Sequence, residues 1–136
     1  MGSVTGDHSG YLLDTHVLLW WFFNDPKLSE LAFEIIKNPE NTIFVSSASG
    51  WEIATKYRLG RLPHAHEVVE RLPELIQRSR MRVLPILLEH ALLAGKLPGQ
   101  HKDPFDRMLI AQGQIETMPI VTSDAIFNEY GVSIIW

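Results

Sequence analysis

Short apolar runs alternate along this chain with longer stretches in which apolar positions recur at helical spacing. Five runs predict strands, because they are brief and mostly apolar, with β-branched or aromatic residues in most of them: 11–13, 42–45, 82–86, 120–122 and 132–135. The stretches between them predict a helix from Thr15, helices over 29–37, 49–59, 66–80, 88–97 and 104–116, and a helical turn at 124–130. Pro73 is expected to divide the helix over 66–80 into two pieces.

The alternation of strands and helices indicates consecutive β-α-β units, which form a parallel sheet. Because the strands are nearly all apolar, we expect helices to cover both faces of that sheet. A length of 136 residues suits one domain. We therefore expect an α/β fold, a single-domain α/β/α sandwich with a central parallel sheet, over residues 11–136. Residues 1–10 should form a flexible segment, and its start, Met1-Gly2-Ser3, is typical of a cloning remnant.

The composition excludes several classes of protein. A hydrophobic fraction of 46% and a charged fraction of 21% are typical of a folded globular domain and not of a disordered chain. Without cysteine the chain can form no disulfide, zinc knuckle, iron–sulfur cluster or thiol nucleophile. The first ten residues lack the Lys, Arg and apolar stretch of a secretory signal, and the apolar cluster at 17–23 is too short to span a bilayer. We therefore expect a cytoplasmic protein with no membrane partner.

The charge pattern leaves two interpretations open. The net charge is −4, which by itself argues against a nucleic-acid partner. However, residues 56–107 carry a net charge of +4 between segments of −5 (1–55) and −3 (108–136). Each basic side chain can belong to a solvated helix surface. Together they can also form a basic rim around an acidic, metal-binding pocket, provided that the acids of the chain converge.

Four acidic residues follow a predicted strand or lie at the start of a predicted helix: Asp14, Glu52, Asp106 and Asp124. Each has a simple explanation as a helix cap or a first-turn acid, and so does Asp103 before Pro104. In a parallel sheet, however, strand ends and helix starts meet at the edge where ligands bind. Four acids there would repel one another unless a cation held them. Oxygen ligands without Cys or a suitably spaced His pair favour Mg²⁺ or Mn²⁺ over zinc.

Four segments of the chain resemble the PIN-domain family, and in particular the VapC ribonuclease toxins of prokaryotic toxin–antitoxin pairs. They are LLDTH (12–16), SGWEI (49–53), DPFDRMLIAQ (103–112) and VTSD (121–124), of which the third is the most specific. The resemblance implies a PIN-like α/β/α sandwich, a divalent-metal site and endonucleolytic cleavage of RNA. Asp14, Glu52 and Asp106 match the three family acids, and Asp124 matches a more variable fourth.

The resemblance also implies a mechanism, in which the four acids hold Mg²⁺ or Mn²⁺ and an activated water attacks the phosphodiester. Around them, several residues have two open interpretations. Thr15 and Ser123 either bind a phosphate oxygen or a metal-bound water, or serve as caps. Lys56 and Arg107 either form salt bridges with neighbouring acids or contact RNA phosphates. Asp103 is either a ligand or the cap of its helix.

The partners implied by the resemblance are an RNA substrate (a transfer, ribosomal or messenger RNA), a cognate antitoxin protein and a second copy of the chain in a homodimer. The four aromatic residues at 20–23 are open to two interpretations, as part of the core or as part of such an interface.

Two alternative functions remain open. The first is a PIN-like binding module that has lost its activity. The second is a receiver-like domain that accepts a phosphoryl group on a strand-end acid. A receiver needs a Lys beyond a late strand, and the chain has no Lys or Arg after Arg107.

Overall fold

Five parallel strands form the centre of the computed structural model, which describes residues 10–136. The strands are β1 (Gly10–Leu13), β2 (Thr42–Ser46), β3 (Arg82–Leu84), β4 (Ile120–Val121) and β5 (Ile134–Ile135), in the order β3-β2-β1-β4-β5. All five predicted strands are present. The predicted N-terminal segment, 1–10, lies outside the described residues except for Gly10, which begins β1.

The helices also follow the sequence pattern, with small shifts at their ends. They are α1 (Thr15–Phe22), α2 (Glu30–Lys37), α3 (Ser47–Arg58), α4 (His66–Arg78), α5 (Leu88–Lys96) and α6 (Pro104–Glu116), followed by a 3₁₀ helix (Ala125–Tyr130). α3 begins two residues before the predicted start, because the Ser46 hydroxyl caps it by accepting a hydrogen bond from the Ala48 N–H. α4 bends at Arg71 (φ −121°), two residues before Pro73.

Side chains of β1 and β2 point alternately into two apolar cores. On one face, Leu13, Ile43 and Val45 pack with buried residues of α1–α4, and we call this the first core. On the other face, Leu12 and Phe44 pack with residues of α6, the end of α5 and the 3₁₀ helix, and we call this the second core. The period of two along each strand separates the cores. The predicted α/β/α sandwich is confirmed.

The aromatic residues at 20–23 belong to the first core. Trp20, Trp21, Phe22 and Phe23 are all partly buried against it. The Trp21 indole N–H donates a hydrogen bond to the Ser79 hydroxyl at 3.1 Å, which connects α1 to the end of α4. The structure therefore favours the core interpretation over an interface.

α6 begins and ends at the predicted residues. Asp103 accepts hydrogen bonds from the N–H groups of Phe105 (2.9 Å) and Asp106 (3.1 Å), so it caps the helix. In the last turn of α6, Gly113 lets the helix approach β4 closely, because a Cβ there would lie 3.1 Å from Cδ1 of Ile120. Gly113 thus allows α6 to pack close to β4 at this point.

Three polar side chains are buried between α5 and α6. His90 Nδ1 accepts a hydrogen bond from the Leu87 N–H at 3.0 Å, so the proton is assigned to Nε2, which lies 2.9 Å from a Glu116 oxygen. The Gln112 amide donates to the Pro85 carbonyl at 3.2 Å. These bonds offset part of the cost of burying polar groups, since Gln112 Oε1 remains without a partner, and they fix α5 against the second half of α6.

Within the described part of the chain, no helix combines the length and the hydropathy needed to cross a membrane.

We expect His90→Ala to lower the free energy of unfolding by about 3 kcal/mol, because it leaves a cavity and removes two buried hydrogen bonds. Urea unfolding followed by circular dichroism measures this. Leu92→Ala is the control on the same helix, since Leu92 is exposed, and it should change stability by less than about 0.5 kcal/mol. Similar losses in the two variants would contradict a stabilising role for the buried imidazole.

Candidate active site

Asp14 lies directly after β1, at the carboxyl edge of the sheet, and is buried. Its N–H donates to the Val121 carbonyl, which continues the ladder between β1 and β4. The Thr122 hydroxyl donates a hydrogen bond to Asp14 Oδ2 at 2.8 Å. Burial raises the pKa of Asp14, and the Thr122 hydrogen bond and the charge of His16 partly oppose this, while the negative charge of Glu52 adds to the rise.

Glu52 reaches the same edge from the second turn of α3, and its side chain is only 3% exposed. Its Oε2 is paired with the ammonium group of Lys56, one turn further along the helix. Its Oε1 is buried and has no hydrogen-bond partner. α3 is held beside α1 by a hydrogen bond of 2.8 Å between the hydroxyls of Ser49 and Thr15, which fixes the position from which Glu52 projects.

Asp106 lies in the first turn of α6. One of its oxygens is 2.8 Å from His101 Nε2. The pKa of Asp106 is raised to about 6, first by burial and then by the negative charges of Asp103, Asp14 and Glu52, while the His101 hydrogen bond lowers it. The charge of Glu52 acts on Asp14, and the charges of Glu52 and Asp14 both act on Asp106, so these three carboxylates lie in one region of the structure.

The two other predicted acids have structural positions. Asp124 is exposed and caps the 3₁₀ helix by accepting a hydrogen bond from the Ile126 N–H at 3.0 Å. Its charge is not among those that shift the pKa of Asp14 or of Asp106. Asp103 is the cap of α6, although its charge acts on Asp106. Of the four predicted ligands, Asp14 and Glu52 therefore lie near enough to Asp106 for their charges to act on it, whereas Asp124 lies at the surface.

The donor set suits a hard divalent cation in its chemistry. It consists of carboxylate oxygens, one of which is buried without a partner. Among residues 10–136, however, no three acidic or histidine side chains converge closely enough to hold an ion by themselves. Mg²⁺ keeps several of its waters when it binds protein, and carboxylates that do not converge can reach such an ion through those waters.

The predicted supporting residues have several different roles. The Thr15 hydroxyl is bonded to Ser49, and Ser123 is exposed. Lys56 forms the salt bridge that was one of its two interpretations. The salt bridge that was one of the two interpretations of Arg107 is absent from the described structure, because the guanidinium group donates instead to the carbonyls at Ala94 (2.9 Å), Leu97 (2.5 Å) and His101 (3.1 Å). Arg107 thereby holds the end of α5 and the segment that carries His101.

Sequence reasoning missed two contacts of the site. Thr122 orients Asp14 across a separation of 108 residues, and its one sequence signal is that a polar residue follows the apolar strand β4. The other is His101, whose ring the structure places against Asp106. The five-residue spacing between them crosses a helix start, so no helical periodicity indicates that they meet.

Comparison with known proteins identifies the same stretch of the chain. The family model of the PIN domain matches residues 11–132. Ribonuclease VapC22 of Mycobacterium tuberculosis is 30% identical over 115 residues, which covers 83% of this chain and 85% of the relative. Ribonuclease VapC16 of the same organism is 37% identical over 62 residues, and this match covers 46% of the chain and less than half, 43%, of the relative.

Two solved structures share the fold. VapBC2 from Rickettsia felis, bound to a DNA fragment from their promoter, aligns with a TM-score of 0.64 at 16% identity over 93% of this chain and 97% of that chain. FitAcB from Neisseria gonorrhoeae aligns with a TM-score of 0.65 at 19% identity over 93% of this chain and 96% of that chain.

We expect Arg107→Lys to lower the free energy of unfolding by about 1–2 kcal/mol, because one ammonium group cannot donate in the fork geometry that reaches three carbonyls. Amide hydrogen exchange should also become faster over residues 97–103. Arg61→Lys is the matched control, since Arg61 is exposed. Unchanged exchange over 97–103 in the Arg107 variant would contradict the proposed tether.

We expect Asp106→Asn to raise the melting temperature of the metal-free protein above pH 6, by about 3 °C. The folded pKa of about 6 lies above the ordinary value of 3.8, so the folded state binds the proton more tightly and loses stability as the pH rises between these values. The variant has no carboxyl group at this position and lacks this loss. The difference in melting temperature between the variant and the parent should therefore grow from pH 4 to pH 6 and then level off. Thermal denaturation across this range tests it, with Glu34→Gln, at an exposed position, as the control. An advantage that does not vary with pH would exclude the electrostatic cause.

Proposed function

The chain belongs to the PIN domain family, and on that premise we propose that it is a divalent-metal-dependent endoribonuclease and the toxin of a toxin–antitoxin pair. The observation that carries the proposal is the cluster of Asp14, Glu52 and Asp106 at the carboxyl edge of the sheet, in which Asp14 and Glu52 are buried and Asp106 is partly buried. Three carboxylates in one poorly solvated site are costly unless a cation joins them.

The relatives support the nature of the activity and of one partner. Both curated relatives are named ribonucleases. One of the solved structures with this fold is of VapBC2 bound to a DNA fragment from their promoter, and another is of FitAB bound to an IR36 DNA fragment. We propose a cognate antitoxin protein as the partner of this chain, and a homodimer that acts in the cytoplasm.

Asp14, Glu52 and Asp106 are the residues that would hold Mg²⁺ or Mn²⁺, and exposed Asp124 would take part only through water. Such an ion lowers the pKa of a water for attack on phosphorus and offsets the charge that develops on the phosphate oxygens. Because the ion is best placed by rigid ligands, the hydrogen bonds to those ligands matter as much as the carboxylates themselves.

The chain's own residues orient each carboxylate before any ligand binds. The Thr122 hydroxyl donates a hydrogen bond to Oδ2 of Asp14, and the His101 ring contacts one oxygen of Asp106, so each of these contacts engages only one of the two carboxylate oxygens.

Exposed Trp51 and its edge-on neighbour Phe105, with ring centroids 4.7 Å apart, each precede a site carboxylate in sequence. Aromatic rings in such a position suit the unpaired bases of single-stranded RNA.

The strand order argues against the receiver-like alternative. Receiver domains have the order 2-1-3-4-5, whereas this sheet has the order β3-β2-β1-β4-β5. The inactive binding module differs from the nuclease only in the chemical step, so cleavage distinguishes the two.

We expect the purified protein to cut total cellular RNA at a few sites with Mg²⁺ or Mn²⁺ and not with EDTA. Asp14→Asn should slow cleavage at least about 100-fold, because the ion supplies several kcal/mol of transition-state stabilisation. Asparagine can still accept the Thr122 hydrogen bond, so the fold should survive. Sequencing the new ends would identify the substrate as transfer, ribosomal or messenger RNA.

Glu34→Gln, an exposed change on α2, is the control and should cut at the normal rate. Binding of RNA without cleavage by folded, antitoxin-free protein would favour the inactive module. Cleavage that survives both EDTA and Asp14→Asn would indicate a contaminating nuclease and contradict the proposal.

A further inference from the structure

The geometry points to a second role for Lys56, as a counter-ion of Glu52. Its ammonium group would pair with Glu52 until a metal ion binds, and would then turn to contact a phosphate of the RNA. This inference rests on the proposed function, because it concerns the same site. It makes Lys56 a positioning residue for the ion and a binding residue for the substrate.

The contacts of Lys56 place it between the carboxylates and the solvent. Its ammonium group is paired with Oε2 of Glu52, and the two residues are one turn apart on α3. The Glu52 side chain is 3% exposed, whereas that of Lys56 is 25% exposed. Within residues 10–136, Glu52 is the sole ionic partner of Lys56. The ammonium group of Lys56 thus contacts a site carboxylate while its side chain remains partly exposed to solvent.

The charges of the site explain why a cation is needed there. In the described structure, neither Asp14 nor Asp106 is paired with a Lys or Arg, and the nearby guanidinium of Arg107 is bound to backbone carbonyls. Among the described residues, Lys56 is therefore the Lys or Arg side chain that pairs with a carboxylate of this site, and its pairing is with Glu52. Without it, the repulsion among the three carboxylates would be stronger.

The second oxygen of Glu52 indicates that the pairing between Glu52 and Lys56 can be replaced by another cation. Oε1 is buried and has no hydrogen-bond partner, which costs free energy in the state with Lys56 in place. A divalent ion bound at Oε1 would repel the ammonium group on Oε2. The lysine stem is long and flexible, so its ammonium group can turn outward, where a compact point charge suits a phosphate oxygen.

The test compares the melting temperatures of three proteins with and without saturating Mn²⁺: the parent, Lys56→Gln and Arg58→Gln. Arg58 is the matched control, because it is exposed, carries the same charge and lies in the same last turn of α3. Lys56→Gln should melt below the parent without metal, since Glu52 loses its partner. With saturating Mn²⁺ the gap should close, because the ion then supplies the missing charge.

Isothermal titration calorimetry should show the same coupling directly, with Mn²⁺ binding about tenfold tighter in Lys56→Gln than in the parent or in Arg58→Gln. In single-turnover cleavage at saturating Mn²⁺, Lys56→Gln should need more protein for half-saturation with RNA. The slope of log affinity against log salt should become shallower by about 0.7, as expected for the loss of one phosphate contact on a single strand. Lys56→Arg keeps the charge and should restore the parental metal affinity within about twofold.

The outcomes separate this inference from the proposed function. A melting-temperature loss in Lys56→Gln that is equal with and without Mn²⁺ would mean that Lys56 only stabilises the fold, and the inference would be wrong. Parental metal affinity together with a parental salt slope in that variant would overturn it as well. If the parent itself neither binds Mn²⁺ nor cuts RNA, the proposed function fails, and the counter-ion role fails with it.

Discussion

Repulsion among three carboxylates held away from water is the constraint around which this edge of the molecule is organised. Asp14, Glu52 and Asp106 are each buried or largely buried, and each has one oxygen engaged by a neighbour: a hydroxyl, an ammonium group and an imidazole. Thr122 lies 108 residues from Asp14 along the chain, whereas Lys56 and His101 lie four and five residues from the acids that they contact. The positions of β4, of α3 and of the segment before α6 therefore all bear on the electrostatic balance of one small region.

The packing of helices on both faces of the sheet places the three acids at one edge. Glu52 projects from α3, which packs in the first core, and Asp106 projects from α6, which packs in the second core. Asp14 follows the central strand that contributes to both. The site consequently exists only when both faces of the sheet are covered. The buried imidazole of His90 and the close approach at Gly113 act at a distance from the site, yet they fix the helix that carries Asp106.

Most of the fold could be predicted from the sequence, because the apolar strands and capped helices are local signals. The bounds of α6 follow from Asp103, Pro104 and the apolar run after them. The site was harder to predict, because similar sequence patterns lead to different structural positions. Asp14 and Asp124 both follow strands, yet Asp14 is buried at the site and Asp124 is an exposed helix cap. Only the three-dimensional packing decides between them. The bonds made by Thr122, His101 and Arg107 depend on contacts between elements and leave no periodic trace.

The order of the elements along the chain has a consequence for biosynthesis. The first core is covered by helices that precede β3, whereas the helices of the second core follow β3. A ribosome making this protein would therefore release Asp14 and Glu52 long before Asp106, and Thr122 later still. The third carboxylate is made only with residue 106, and the hydroxyl that orients Asp14 only with residue 122. The emerging polypeptide therefore has no complete site before that point, and the proposed ribonuclease would remain inert beside the messenger and the ribosome that are producing it.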